Sequence, residues 1–209
     1  MKKAFTLAEV LITLGIIGVV AALVMPALIA HHKKKILEIR IKKFHSVLQK
    51  AALMKIVEDY EVDCSMLTAA NDSSLMLQFF NTNYTPYMKT IKVETTAKGV
   101  NAAFPDGSGM FIRKSIATPP DIDDYCASTH VIFCVHYKTC KDPYFDTINN
   151  ASSASDGRNS FVFQVNGSTP WQDFSREQLL EDCRTSKYYC SKLLQHDGWE
   201  IKDDYPFKI

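Results

Sequence analysis

The first 63 residues contain no cysteine, and neither glycine nor proline occurs between Pro26 and Tyr60. From Phe5 to Ala30 the only charged residue is Glu9. No glycine-rich phosphate loop, G-x-S-x-G elbow, H-E-x-x-H pair or C-x-x-C pair occurs anywhere in the chain. The motif absences leave no ground for a P-loop nucleotide site, an α/β-hydrolase, a zincin or a paired-cysteine zinc site. The expectation is therefore a non-enzyme without cofactor or metal. The missing helix breakers leave a long stretch free to be one helix.

Charge is unevenly spread although it nearly cancels overall. Residues 31–50 hold seven basic side chains (Lys33, Lys34, Lys35, Arg40, Lys42, Lys43 and Lys50) against Glu38 alone. Residues 51–209 hold fifteen basic and twenty-one acidic groups, a net of −6. A basic neck thus carries an acidic head. Nucleic acid is not expected as a partner of such a head, because phosphate binding needs clustered Lys and Arg to displace counterions.

The apolar N-terminal run is long enough to cross a bilayer. At about 1.5 Å per residue, twenty-five helical residues reach roughly 37 Å, more than the hydrocarbon thickness. Its Leu, Ile, Val and Phe side chains each favour insertion by roughly 0.3 to 0.6 kcal/mol, which outweighs one acidic group. A conventional secretory signal, cut after Val20-Ala21-Ala22, would have a much shorter apolar core. A plain membrane anchor gives no reason to keep Glu9.

Lys2-Lys3-Ala4-Phe5-Thr6-Leu7-Ala8-Glu9-Val10-Leu11-Ile12 resembles the processing signal of type IV pilins and type II secretion pseudopilins. That pattern is a short basic leader, a small residue before the cut, Phe first in the mature chain and Glu fifth. Ala4 stands where the family usually has Gly. Pro26 falls where the family places a proline late in the apolar helix, with Gly15 and Gly18 before it. The resemblance implies cleavage between Ala4 and Phe5 by a prepilin peptidase and N-methylation of Phe5. It implies storage in the bacterial inner membrane with the head outside the cytoplasm. Assembly with other pilin or pseudopilin subunits, through an inner-membrane platform, would follow. There Glu9 would meet the Phe5 amine of a neighbour, since pairing offsets the cost of burying either charge and sets axial register. Gly15, Gly18 and Pro26 would either allow local unwinding or simply be tolerated within a membrane helix. The Lys/Arg count by itself would put the neck in the cytoplasm; the cysteine-bearing head and the leader argue for the opposite orientation and take precedence here.

Beyond Ala30, Leu37, Ile41, Phe44, Leu48 and Ala51 keep a four-three spacing, an apolar stripe on one helix face. One helix from Phe5 to about Tyr60 is expected. The basic residues on its other faces are expected to be solvated or to meet anionic lipid headgroups. After a loop from Cys64 and a short helix around Leu75–Phe80 come five strand-like runs: Thr90–Thr95, Val100–Phe104, Met110–Ile116, Val131–Tyr137 and Phe161–Val165. Pro105-Asp106-Gly107-Ser108-Gly109 reads as a hairpin turn, Asn149–Asn159 as an exposed loop, and Ser175 with Gln178 as a capping box. The fold class is α+β: a long N-terminal helix, transmembrane then amphipathic, packed on a small antiparallel sheet in the pilin manner. Its parts are a leader (1–4), a membrane and filament-core helix (5–30), an amphipathic helix (31–62) and a disulfide-bearing head (63–209).

Cys64, Cys126, Cys134, Cys140, Cys183 and Cys190 are an even set confined to the head, which points to oxidation outside the cytoplasm with pairing undetermined. In an unbroken helix over 176–195, Cys183 and Cys190 would sit about 10 Å apart and need other partners. A direct bond would require a break near Thr185-Ser186. The pilin resemblance implies that a cysteine pair near the C-terminus staples a loop carrying subunit contacts. His130, Cys134, His136 and Cys140 resemble a metal set, but disulfides are the better use of the cysteines. Adjacent carboxylates such as Asp203-Asp204 read as turn and surface residues, and the closing Asp197-Gly198-Trp199 and Asp203-Asp204-Tyr205-Pro206 resemble the ending of many prepilin-type heads. The alternative to a filament subunit is a single-pass, membrane-tethered binding or enzymatic domain.

Overall fold

The computed structural model describes residues 6–59, 73–96, 99–113, 129–140, 155–170 and 173–209. Helix α1 spans Leu7–Asp59 with Pro26 inside it, matching the length expected from the absence of breakers. It belongs to two compact units, one reaching to Leu37 and one beginning at Glu38.

In the first unit the helix is apolar all round. Leu14, Ile17, Val20 and Ile29 are all more than half exposed. An 18-residue window there has a mean hydropathy of 2.6 and none of it is buried inside the molecule. By length and composition this helix can cross a membrane.

The second unit starts with the amphipathic part of α1 and continues through helix α2 (Ser73–Asn83) into five short strands. These are β1 (Lys92–Thr95), β2 (Gly99–Ala103), β3 (Gly109–Arg113), β4 (His130–Cys134) and β5 (Ser160–Gln164). They form one sheet in the order β1-β2-β3-β4-β5, every pair antiparallel. Each described strand overlaps a run expected from composition, but β4 stops three residues before the expected Tyr137, and residues 114–116 of the third run lie outside the described residues. A single-turn helix, α3 (Tyr137–Cys140), follows β4.

Both faces of the sheet are covered, which is why β2, β4 and β5 read as nearly continuous apolar runs instead of alternating. Register places Val131 opposite Phe163 and Phe133 opposite Phe161, so these four share one face. Phe44 of α1 stacks on Phe133 at 4.6 Å between ring centroids and meets Phe163 edge-on at 5.3 Å. The stripe residues Ile41, Leu48 and Ala51 are fully buried beside it. On the other face Phe111, Ile132, Cys134 and Cys140 form a small cluster with Tyr137 against it.

The chain closes with helices α4 (Arg176–Ser186) and α5 (Cys190–His196). Ser175 accepts from the Gln178 amide while the Gln178 side chain accepts from the Ser175 amide. This is the capping box that the sequence indicated. The helix expected to carry both Cys183 and Cys190 is two helices. Lys187 takes a left-handed conformation (φ 61°) and its amide closes on the Cys183 carbonyl at 3.1 Å, which ends α4.

Candidate functional site

The residues singled out from sequence fall in two places, the first turns of α1 and the C-terminal part of the head. Ala4 and Phe5 lie outside the described residues. Glu9 is engaged by its own helix end: the Thr6 amide and hydroxyl donate to Glu9 Oε2 at 2.9 and 2.8 Å, and the Glu9 amide donates to Thr6 Oγ1 at 3.3 Å. Thr6-x-x-Glu9 is thus a capping box, satisfying amides that the first turn leaves without helical partners. The spacing was legible in the sequence and was missed beside the intermolecular role. The two roles are compatible in turn, since a carboxylate held by neutral donors remains an acceptor for a cation.

α1 runs unbroken through Gly15, Gly18 and Pro26, so the single chain shows none of the unwinding that these residues permit. A methyl group added at Gly15 or Gly18 would meet nothing within 4 Å. Neither glycine is there to make room for this chain's own atoms.

In the head, Cys134 bonds to Cys140 with Cα atoms 5.7 Å apart, and Cys183 to Cys190 with Cα atoms 4.6 Å apart. Cys64 and Cys126 lie outside the described residues. The second bond realises the alternative that required a break near Thr185-Ser186: the helix ends at Ser186, and the reversal at Lys187 brings together two positions that an unbroken helix would hold apart. The first bond takes both cysteines out of the considered metal set. Of that set's histidines, His130 pairs with the Tyr188 hydroxyl at 2.7 Å and His136 is exposed. Tyr188 and Tyr189 lie within the Cys183–Cys190 loop, half-buried and edge-to-face with one another at 5.0 Å.

The closing motifs are tied together by Arg176, whose importance nothing in the sequence flagged. Its guanidinium donates to Asp197 at 2.7 and 2.9 Å and to Asp204 at 2.7 and 2.8 Å, two bidentate pairs. Lys202 adds a third cation contact to Asp197 at 2.9 Å. Burial pushes the Asp197 carboxyl up, but the bonds from Arg176 and Lys202 win and hold it below the usual carboxylate range. Asp204 is therefore more than the turn residue expected. Gly198 and Trp199 both adopt positive φ (71° and 69°), which swings the Trp199 indole onto His45 at 4.6 Å.

Two further expectations need correction. Arg40 is not on a solvated face of the neck: it is half-buried and donates to the carbonyls of Val135 and Asp106 at 3.0 and 2.8 Å. The described part of the Asn149–Asn159 loop is not exposed throughout either, since Ser155 and Gly157 are buried. Asp156 gathers the amides of Arg158, Asn159 and Ser160 at 2.8, 2.6 and 2.9 Å, and the Tyr205 hydroxyl closes on the Gly157 carbonyl at 2.7 Å. Such self-satisfied turns can pack inward.

The arrangement is one of staples, clamps and caps. Among the described residues, no three His, Cys, Asp or Glu side chains are placed to hold a metal ion together. No curated protein and no solved structure is significantly similar to the chain. Residues 27–209, the whole head and the outer part of α1, match the model of a family described as a family of unknown function (DUF6613), and the chain belongs to that family.

Proposed function

We propose that the protein is a structural subunit, of the minor kind, in a type IV pilus or type II secretion pseudopilus. A prepilin peptidase frees Phe5, and assembly proceeds through the N-terminal part of α1. The observation that carries this reading is one coincidence. The leader-like spacing of Ala4, Phe5 and Glu9 stands at the start of a helix that is strongly apolar and unburied on every face. Such a surface needs two successive environments, bilayer before assembly and neighbouring helices after it. The capping box keeps the Glu9 carboxylate at the helix start, where a neighbour's α-amine could take it as partner. In the head, the Cys183–Cys190 loop presents Tyr188 and Tyr189 on a rigid base, and this is the surface we assign to contacts with other subunits. Tyrosine gives large contact area at low entropic cost.

The N-terminal sequence and mass of protein isolated from its own membranes test the processing step. A chain beginning at Phe5 with a methylated amine is expected, and one beginning at Met1 or after Ala22 would refute the reading. Ala4→Leu should leave the leader attached. Glu9→Ala should be cut normally yet fail to enter filaments, and normal incorporation would sink the charge-pairing account.

A further inference from the structure

A cavity of about 270 Å³ lies in the head between α1, the residues after α2 and the β2–β3 turn. Its apolar lining includes Phe44, Met88 and Phe104, all buried side chains of the core. Three cations reach it: Arg40, Lys43 and Lys89. The contacts of these cations among the described residues leave their charges poorly balanced. Among the described residues Arg40 donates to two carbonyl oxygens, which uses two of its five N–H groups. Lys43 pairs with the Asp106 carboxylate at 3.3 Å. Lys89 is exposed and forms no ion pair among the described residues. Asp106, the one carboxylate in the lining, already accepts from the Ser108 amide and hydroxyl. The cavity thus has an apolar floor under a mouth with more positive than negative charge.

From this charge pattern we infer that the cavity binds a small organic monocarboxylate with a compact aromatic or branched apolar body. An inorganic anion would leave the floor unused, and a neutral hydrocarbon would leave the cations unmatched. A carboxylate on an apolar body meets both, and the volume fits a ligand of roughly ten heavy atoms. Charge-assisted bonds supply the selectivity, and the rings and the flexible Met88 thioether adapt to the body. The inference concerns the head alone and stands whether or not the N-terminal segment is processed.

The test uses the full chain in phosphatidylcholine nanodiscs at pH 7, with methionine methyl groups labelled with carbon-13 and Met88 assigned by its loss in Met88→Leu. 3-Phenylpropionate should shift the Met88 methyl saturably, and 3-phenylpropan-1-ol should bind about tenfold more weakly, the worth of one partly screened charge contact. Lys89→Gln should weaken the acid about threefold and leave the alcohol unchanged. Equal affinity for acid and alcohol, or a Met88 methyl that does not move at millimolar acid, would overturn the inference.

Discussion

Along α1, Leu11, Ile17 and Leu23 are 61%, 62% and 75% exposed, whereas Ile41 and Leu48 are at 0%. The residue types are the same, and so is the secondary structure. What differs is their arrangement around the axis. Before Ala30 nearly every position is apolar, so no single face can be buried against a head while the rest stays in water. The requirement is an apolar surrounding on all sides. After Ala30 the apolar residues narrow to a stripe, charged groups fill the remaining faces, and the stripe can be covered by a sheet in water. Apolar pattern, and not apolar content, assigns each half its solvent.

The largest expected effect breaks this symmetry of composition. Phe44→Ala removes a ring that contacts Phe104, Phe133 and Phe163, and should destabilise the head by about 3–5 kcal/mol. Ile17→Ala, in the exposed half, should leave head stability within about 0.5 kcal/mol. Urea unfolding of both full-length variants in nanodiscs, followed by Trp fluorescence, makes the comparison. Comparable losses would mean that the two halves are not distinguished by what covers them.

A somewhat smaller effect depends on pH. His45 in the outer half is 5% exposed, lies against Trp199 and Phe163, and has no partner for Nε2 among the described residues. Burial pushes its pKa down to about 4 from an ordinary 6.5. Between those values the unfolded chain takes up a proton that the folded chain refuses. Stability is therefore full above about pH 6.5 and falls as the pH drops toward 4, by up to about 3 kcal/mol. Asp197 and Asp204 lose their contribution only at lower pH, since their pKa values are already depressed. Unfolding midpoints at pH 7.0 and 4.5 should differ for the wild-type chain and much less for His45→Phe. An undiminished difference in the variant would remove His45 as its source.

The long helix, the antiparallel strands and the Ser175 capping box could be read from sequence because each rests on local signals: absent breakers, apolar runs between turn residues, and a Ser-x-x-Gln spacing. The candidate assembly segment was legible in the same way, as fixed spacing over the first thirty residues. The pairing of Cys183 with Cys190 was not, because it depends on one residue, Lys187, entering a left-handed conformation that lysine does not favour. The Arg176 clamp was also hidden. Its two carboxylates lie 21 and 28 residues away, and only the folded head brings them together. Arg40 was misplaced for a related reason: on a helix rich in Lys and Arg, composition does not distinguish the one whose fork finds backbone carbonyls far along the chain.

The smallest effect compares the two carboxylates of α1. Glu9 is exposed and bonds within its own first turn. Glu38 is 7% exposed and accepts the Ile201 amide at 3.0 Å across 163 residues of sequence. One carboxylate caps a helix; the other ties the C-terminal segment to the helix that begins the head. Glu38→Ala leaves that amide without its acceptor, which should cost about 1–3 kcal/mol. Glu38→Gln keeps an oxygen in place and should recover most of this, while Glu9→Ala should leave the unfolding of the head unchanged. Amide hydrogen exchange at Ile201 gives a direct readout, with protection lost in Glu38→Ala, retained in Glu38→Gln and indifferent to Glu9. If Ile201 stays protected in Glu38→Ala, another acceptor has replaced the carboxylate, and the outer half of α1 holds the C-terminal segment by its apolar stripe alone.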